Sequence, residues 1–335
     1  MWWIGLWMGC VGSGPVDSDA VDSDTGDTAD SEDTADTVET ADTDVNLGPV
    51  IYVTVVSHNE QPNTGVPESD PAWHPNYVTD PAFYEDNRAA VLELAEELYN
   101  RGVTWNLQSD GNWLDAVADN DELNDNVALE LQDSWDVQID VHHHPSFYND
   151  ADVAFAMEEL GVNPSDVVGG FVYSPVEEAN WEDFEVPIDG QVSEHTWTGR
   201  WLWGAATPSH AGEDDHSSGI WRPQDAANFY THDPDQVLAV IGNCSITADG
   251  VLALSADLDD GGAPSDGFYT AAVMFDQQDL DDAKIADILA AVDSLEGLVD
   301  AGRVRWAHLT EISDHWTTDY EGEPSRFDCS PYVDE

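Results

Sequence analysis

The chain has 335 residues, 8 Lys+Arg against 70 Asp+Glu, and a formal net charge of −62. A surface this acidic repels phosphate backbones and anionic headgroups, which excludes nucleic acid as a partner. Its 41% hydrophobic content, with 14 tryptophans, still suffices for a large folded core.

The first ten residues, MWWIGLWMGC, are apolar and place Gly9 before Cys10. The stretch resembles a bacterial lipoprotein signal ending in a lipobox. That resemblance implies acylation of Cys10, a lipid anchor in the membrane, and an exported protein of the cell envelope. Residues 11–47 follow as an Asp/Thr-rich segment without a base or an aromatic group. Such a segment lacks the apolar surface that would offset its ordering entropy, and its like charges extend it, so a disordered acidic linker is expected. No later run approaches the roughly 18 apolar residues of a membrane-crossing helix.

Residues 48–335 read as one α/β domain in which strands and helices alternate. "PVIYVTVVSHNE" (49–60) is a β-branched run that turns polar at its end, and "DNRAAVLELAEELYNRG" (86–102) has helical spacing at Val91, Leu94, Ala95 and Leu98 before Gly102. Next come a strand "VTWNLQ", an acidic helix-like stretch over 113–132, the strand "VQIDVH", a helix "ADVAFAMEELG" and the apolar run "DVVGGFVY". A Trp- and Gly-rich insertion over 179–220 precedes "QVLAVIGN", "FYTAAVMFD", a helix over 279–302 and the strand "VRWAHLT". Near-continuous apolar strands separated by helices predict a parallel sheet covered on its faces. About seven strands over this length predict a (β/α) barrel, complete or incomplete. No GxGxxG follows the first strand, and GxxxxGK[ST] and GxSxG are absent, which excludes dinucleotide, P-loop and nucleophile-elbow chemistry.

In a parallel barrel the reactive groups stand at the C-terminal strand ends. Here those ends carry His58-Asn59-Glu60, Gln108-Ser109-Asp110, and Asp140 followed by His142-His143-His144. Imidazoles mixed with carboxylates suit a divalent ion, zinc above all, with one position open for water. Alternation along "VQIDVHHH" places Val137, Ile139 and Val141 on one face and Gln138, Asp140 and His142 on the other. His142 and His144 are therefore expected to point inward and His143 outward. The expected metal ligands are His58, His142 and His144, with Glu60 or Asp110 as base and Arg222 orienting a carboxylate or stabilising an oxyanion. The alternative for Arg222 is an ion pair on an acidic surface, and the alternative for the histidine triplet is a solvated loop. The insertion adds Trp197, Trp201, Trp203 and Trp221 with His195, His210 and His216; Trp203 and Trp221 are candidate faces for sugar rings, against a plain core role.

Four places together resemble the polysaccharide deacetylase-like branch of the glycoside hydrolase/deacetylase barrels. They are the first strand ending in His58 and Glu60, the His-rich end of the third strand, "IWRPQDAANF" (220–229) and "GRVRWAHLTEIS" (302–313). The resemblance spans about residues 50–316 and implies a metal-dependent barrel hydrolase acting on carbohydrate. The family's paired Asp after strand one is replaced by "SHNE", and its His-x-x-x-His by three consecutive histidines. A non-catalytic glycan-binding lipoprotein with a degenerate barrel site therefore stays open beside the enzyme, and either is expected as a monomer. Of three cysteines, Cys10 is assigned to lipid. In an exported protein that leaves Cys244 and Cys329 as a disulfide, with two buried thiols as the alternative.

Overall fold

The computed structural model describes residues 48–59, 74–142, 148–170, 184–204, 216–225 and 228–332, within one compact unit spanning Asn46–Glu335. In chain order the elements are β1 (Ile51–His58), α1 (Pro81–Asn100), β2 (Trp105–Ser109), α2 (Gly111–Asn120), α3 (Val127–Trp135), β3 (Val137–His142), α4 (Asp150–Glu159), β4 (Val167–Gly169), β5 (Ile188–Asp189), β6 (Thr196–Trp197), β7 (Trp201–Trp203), β8 (Ser217–Trp221), β9 (Ala239–Ile241), α5 (Ala248–Asp260), β10 (Tyr269–Asp276), α6 (Asp282–Asp293), α7 (Glu296–Asp300), β11 (Val304–Trp306), α8 (Leu309–Asp319) and β12 (Ser325–Asp328). Side chains fix the helix starts. Asp80 accepts the N–H groups of Ala82 and Phe83 ahead of Pro81, and Asn126, Asn149, Thr247 and Asp281 cap in the same way.

Strands β10, β1, β2, β3, β4, β7 and β9 lie side by side and parallel. The seam between β9 and β10 is closed by backbone bonds. The carbonyls of Asn243 and Ile246 accept from Ala272 and Met274 at 3.2 and 3.0 Å. Below them β8 runs antiparallel to β9, and its Ser218 side chain bonds the Thr270 backbone. The expected (β/α) barrel of about seven strands is present and nearly closed.

Strand alternation sorts the apolar residues into two cores. Ile51, Val53, Val55, Leu107, Ile139 and Val141 face the helices, whereas Tyr52, Val56, Val167, Trp203, Ile220, Ile241 and Ala272 fill the barrel. Each of the Val, Leu and Ile side chains, fully buried, contributes about 1.5–3 kcal/mol. Helix α8 seals the end where the parallel strands begin. Leu309, Ile312 and Trp316 join the inner core, and Trp316 meets Trp201 edge-on at 5.9 Å. The C-terminal tail is fastened by a disulfide between Cys244 and Cys329, the pairing expected from the cysteine count.

Three expectations change in detail. The acidic stretch 113–132 is two helices, because Asn126 caps a new start. The helix expected over 279–302 begins at Asp282 and is divided near Leu295. The Trp-rich insertion is not wholly peripheral: Trp201–Trp203 is itself a barrel strand between β4 and β9, too short to show a period in the sequence. Among the described residues no helix is long and apolar enough to cross a membrane.

Candidate functional site

The C-terminal strand ends bring two of the expected ligands together. His58 ends β1 on its inward face, in register with Gln108 of β2 and Asp276 of β10. His142 ends β3 on the inward face, as alternation requires. The two imidazoles stack with centroids 4.6 Å apart and planes inclined by 25°, and both rings are buried. Trp203 meets His58 edge-on at 5.6 Å. The pair of glycines ending β4 makes room for this arrangement. A Cβ on Gly170 would come within 2.7 Å of the His142 ring, and one on Gly169 within 2.3 Å of the Gln108 amide oxygen. Gly170 also has φ +84°, which a residue with a side chain rarely adopts.

Asp110 stands just beyond β2, buried, where its Oδ1 accepts the Trp113 N–H at 3.1 Å and caps α2. Tyr77 is buried nearby. Burial raises its phenol well above the usual range, and the carboxylates of Asp110 and Asp279 push the same way. Among the described residues, the Tyr77 hydroxyl and the Asn59 side-chain amide are buried without a hydrogen-bond partner, the kind of polar group that a ligand satisfies. At the rim His74 Nε2 contacts Asp279 at 2.8 Å.

Beneath the imidazoles lies a polar layer. Asp140 is completely buried and accepts from Gln138 and Ser165 at 2.6 Å and from Asn106 at 3.0 Å. Asn106 in turn accepts from Thr54, and Gln138 from Thr310 at the start of α8. Burial pushes the Asp140 carboxyl up to about 6, against the opposing pull of its hydrogen bonds. The signals for Gln108 and Gly169-Gly170 were present in the sequence as strand-end polarity and a paired glycine, but their roles depend on which strands become neighbours.

The structure does not bring Arg222 or Trp221 to this mouth. Trp221 ends β8, the antiparallel strand, and Arg222 follows it, so both lie where the parallel strands begin. Arg222 Nη1 donates to the carbonyls of Gln236 and Val237 at 2.9 and 2.8 Å, and its guanidinium lies 5.6 Å from the Trp316 ring. Burial, and then Arg200, lower its pKa. Trp221 packs edge-on against Phe229 and donates its indole N–H to the Phe229 carbonyl. Both are structural there; of the two candidate sugar platforms, only Trp203 is at the mouth. Glu60, His143, His144 and Cys10 lie outside the described residues, as do His210, the signal-like segment and the acidic linker. Among the described residues no three His, Cys, Asp or Glu side chains gather as a metal-binding group.

Fold and mouth together define, among the described residues, a nearly closed (β/α) barrel of mainly parallel strands, β11 also pairing β1 in parallel, with a buried imidazole pair at its C-terminal end. No protein-family model and no curated protein matches the chain. Among solved structures, the 4-alpha-glucanotransferase of Thermococcus litoralis is similar with a TM-score of 0.43 and 13% identity, over 79% of this chain. The match covers 40% of that protein's length.

Proposed function

We propose that the chain is a metal-dependent hydrolase acting on carbohydrate, most simply a deacetylase, held at the cell envelope by lipid on Cys10. The observation that carries this reading is the stacked His58–His142 pair at the C-terminal mouth. Two imidazoles are a donor set that fits zinc, and His144 with Glu60 or Asp110 would complete it. A zinc ion held there would supply Lewis-acid polarisation of a carbonyl and a lowered pKa for its water. Asp276, in register with His58, and Asp110 are the carboxylates at hand to take or return a proton. Trp203 closes the site beside His58 and limits water. Asn59 and Tyr77 offer hydrogen bonds to substrate hydroxyls.

Zinc analysis of the full chain tests this, together with acetate release from acetylated oligosaccharides. One ion per chain is expected, lost in both His58→Ala and His142→Ala. Wild-type protein that holds no zinc after incubation and dialysis refutes the metal reading. A second reading, a glycan-binding barrel without catalysis, is favoured by Asp110, whose carboxylate is engaged in capping α2. It predicts oligosaccharide binding without zinc and without acetate release.

A further inference from the structure

A cleft of about 350 Å³ opens on the outside of the barrel between α2 and α4, away from the imidazole pair. Its floor is hydrocarbon from Leu114, Ala118, Ala156 and Leu160. At its edges Leu123, Phe155 and Val192 remain 59%, 37% and 67% exposed, an unusual concentration of apolar surface on so charged a molecule. Four carboxylates line the same space, Asp115, Asp121, Asp152 and Glu159, and none of the described residues lining it is a base.

Two of these acids are already engaged. Asp121 accepts from Arg88 at 3.2 Å and from the Val127 N–H at 2.8 Å. Asp152 accepts from Gln191, and from the Ser193 backbone and hydroxyl, at 2.7–2.9 Å, which holds the loop after β5. Asp115 is different. It accepts from a phenol, Tyr148 Oη, at 3.2 and 3.1 Å, and among the described residues no cation pairs with it. The nearby His195 faces Glu158 instead, at 3.6 Å. Tyr148 is itself fixed, because its ring lies over Gly111, where a Cβ would fall 2.1 Å away.

We propose that this cleft is a second binding site, for a free organic monocation with an apolar body. The ammonium group lies beside Asp115 and the Tyr148 ring, and the aryl or alkyl part lies on Leu114, Ala118 and Phe155. Each part of the site selects for one part of such a ligand. The carboxylate and aromatic face attract a weakly hydrated cation, and the apolar floor favours a hydrocarbon over a metal ion, which would lose its oxygen shell here. The volume is that of a small-molecule pocket, which commonly measures about 300–1,000 Å³.

Calorimetric titration of the full chain with benzyltrimethylammonium tests the site, at about 0.15 M NaCl to screen general attraction to the acidic surface. One equivalent is expected to bind. Asp115→Asn and Phe155→Ala should each weaken binding by about tenfold, and tetramethylammonium, which has no apolar body, by at least as much. Asp287→Asn, an exposed acid on α6, should leave it unchanged. Thermal melts of each variant confirm folding, and Phe155→Ala carries the test if Asp115→Asn fails to fold. Equal binding by Asp115→Asn and wild type, equal affinity for tetramethylammonium, or no saturable heat overturns the proposal.

Discussion

Replacing Gly170 with alanine puts a methyl group where the His142 imidazole lies. Two separable costs follow. At φ +84° a residue with a Cβ loses about 1–2 kcal/mol relative to glycine. The new methyl also stands 2.7 and 2.9 Å from Cε1 and Nδ1 of His142, so the ring must retreat by several tenths of an ångström from a packed position, at about 1–3 kcal/mol. Gly102 separates the two terms. It has φ +67° with nothing within 4 Å of its would-be Cβ, so Gly102→Ala carries only the backbone cost. Urea denaturation should therefore show Gly102→Ala destabilised by about 1–2 kcal/mol and Gly170→Ala by about 2–5 kcal/mol. Zinc affinity should fall in Gly170→Ala alone, because only there is a candidate ligand displaced. Equal stability loss in the two variants would refute the close approach of Gly170 to His142. Unchanged zinc affinity in Gly170→Ala would refute the assignment of His142 to the metal.

The residues that were legible in the sequence are those whose signal is local. Alternation in "VQIDVH" put Asp140 and His142 on one face, and both point into the barrel. The polar end of "IYVTVVSHNE" placed His58 at a strand end, and β1 keeps that residue as its last. What stayed hidden depends on strand order. Arg222 follows a strand and looked like a mouth residue, but β8 runs against its neighbours, and a two-to-five residue strand carries no mark of its direction. Trp201–Trp203 read as insertion because three residues have no measurable period. The cap role of Asp110 is a helix-start signal, and it coincided with a strand end where carboxylates are also catalytic; sequence alone does not separate the two. The glycine pair 169–170 lies inside the apolar run "DVVGGFVY", and its role shows only once β4 is known to lie beside β3.

Further outcomes follow from the same contacts. Cys244→Ser with Cys329→Ser opens a loop of 85 residues and should cost about 4–5 kcal/mol on the chain-entropy model; a urea midpoint unchanged from the oxidised wild type would sink that. Arg222→Ala should lower the melting temperature through its lost carbonyl bonds while zinc content stays at the wild-type level, and a loss of zinc would return Arg222 to the site. The pH dependence of stability should carry the mark of Asp140. Its folded-state pKa, about 6, lies above the ordinary value of 3.8. A raised carboxyl favours the folded state when protonated, so the stability linked to it is full below the ordinary value and is lost as pH rises through about 6. The full span is about 3 kcal/mol for two units, of which about 1 kcal/mol falls between about pH 5 and pH 7.5. General repulsion among the other acids acts in the same direction, so wild type alone is no test. Asp140→Asn is neutral throughout and removes only this term. Denaturation at the two pH values should therefore show wild type losing about 1 kcal/mol more than the variant on going to the higher pH. Parallel losses in the two proteins would mean that Asp140 is charged in the fold at both, held by Asn106, Gln138 and Ser165 more firmly than its burial opposes.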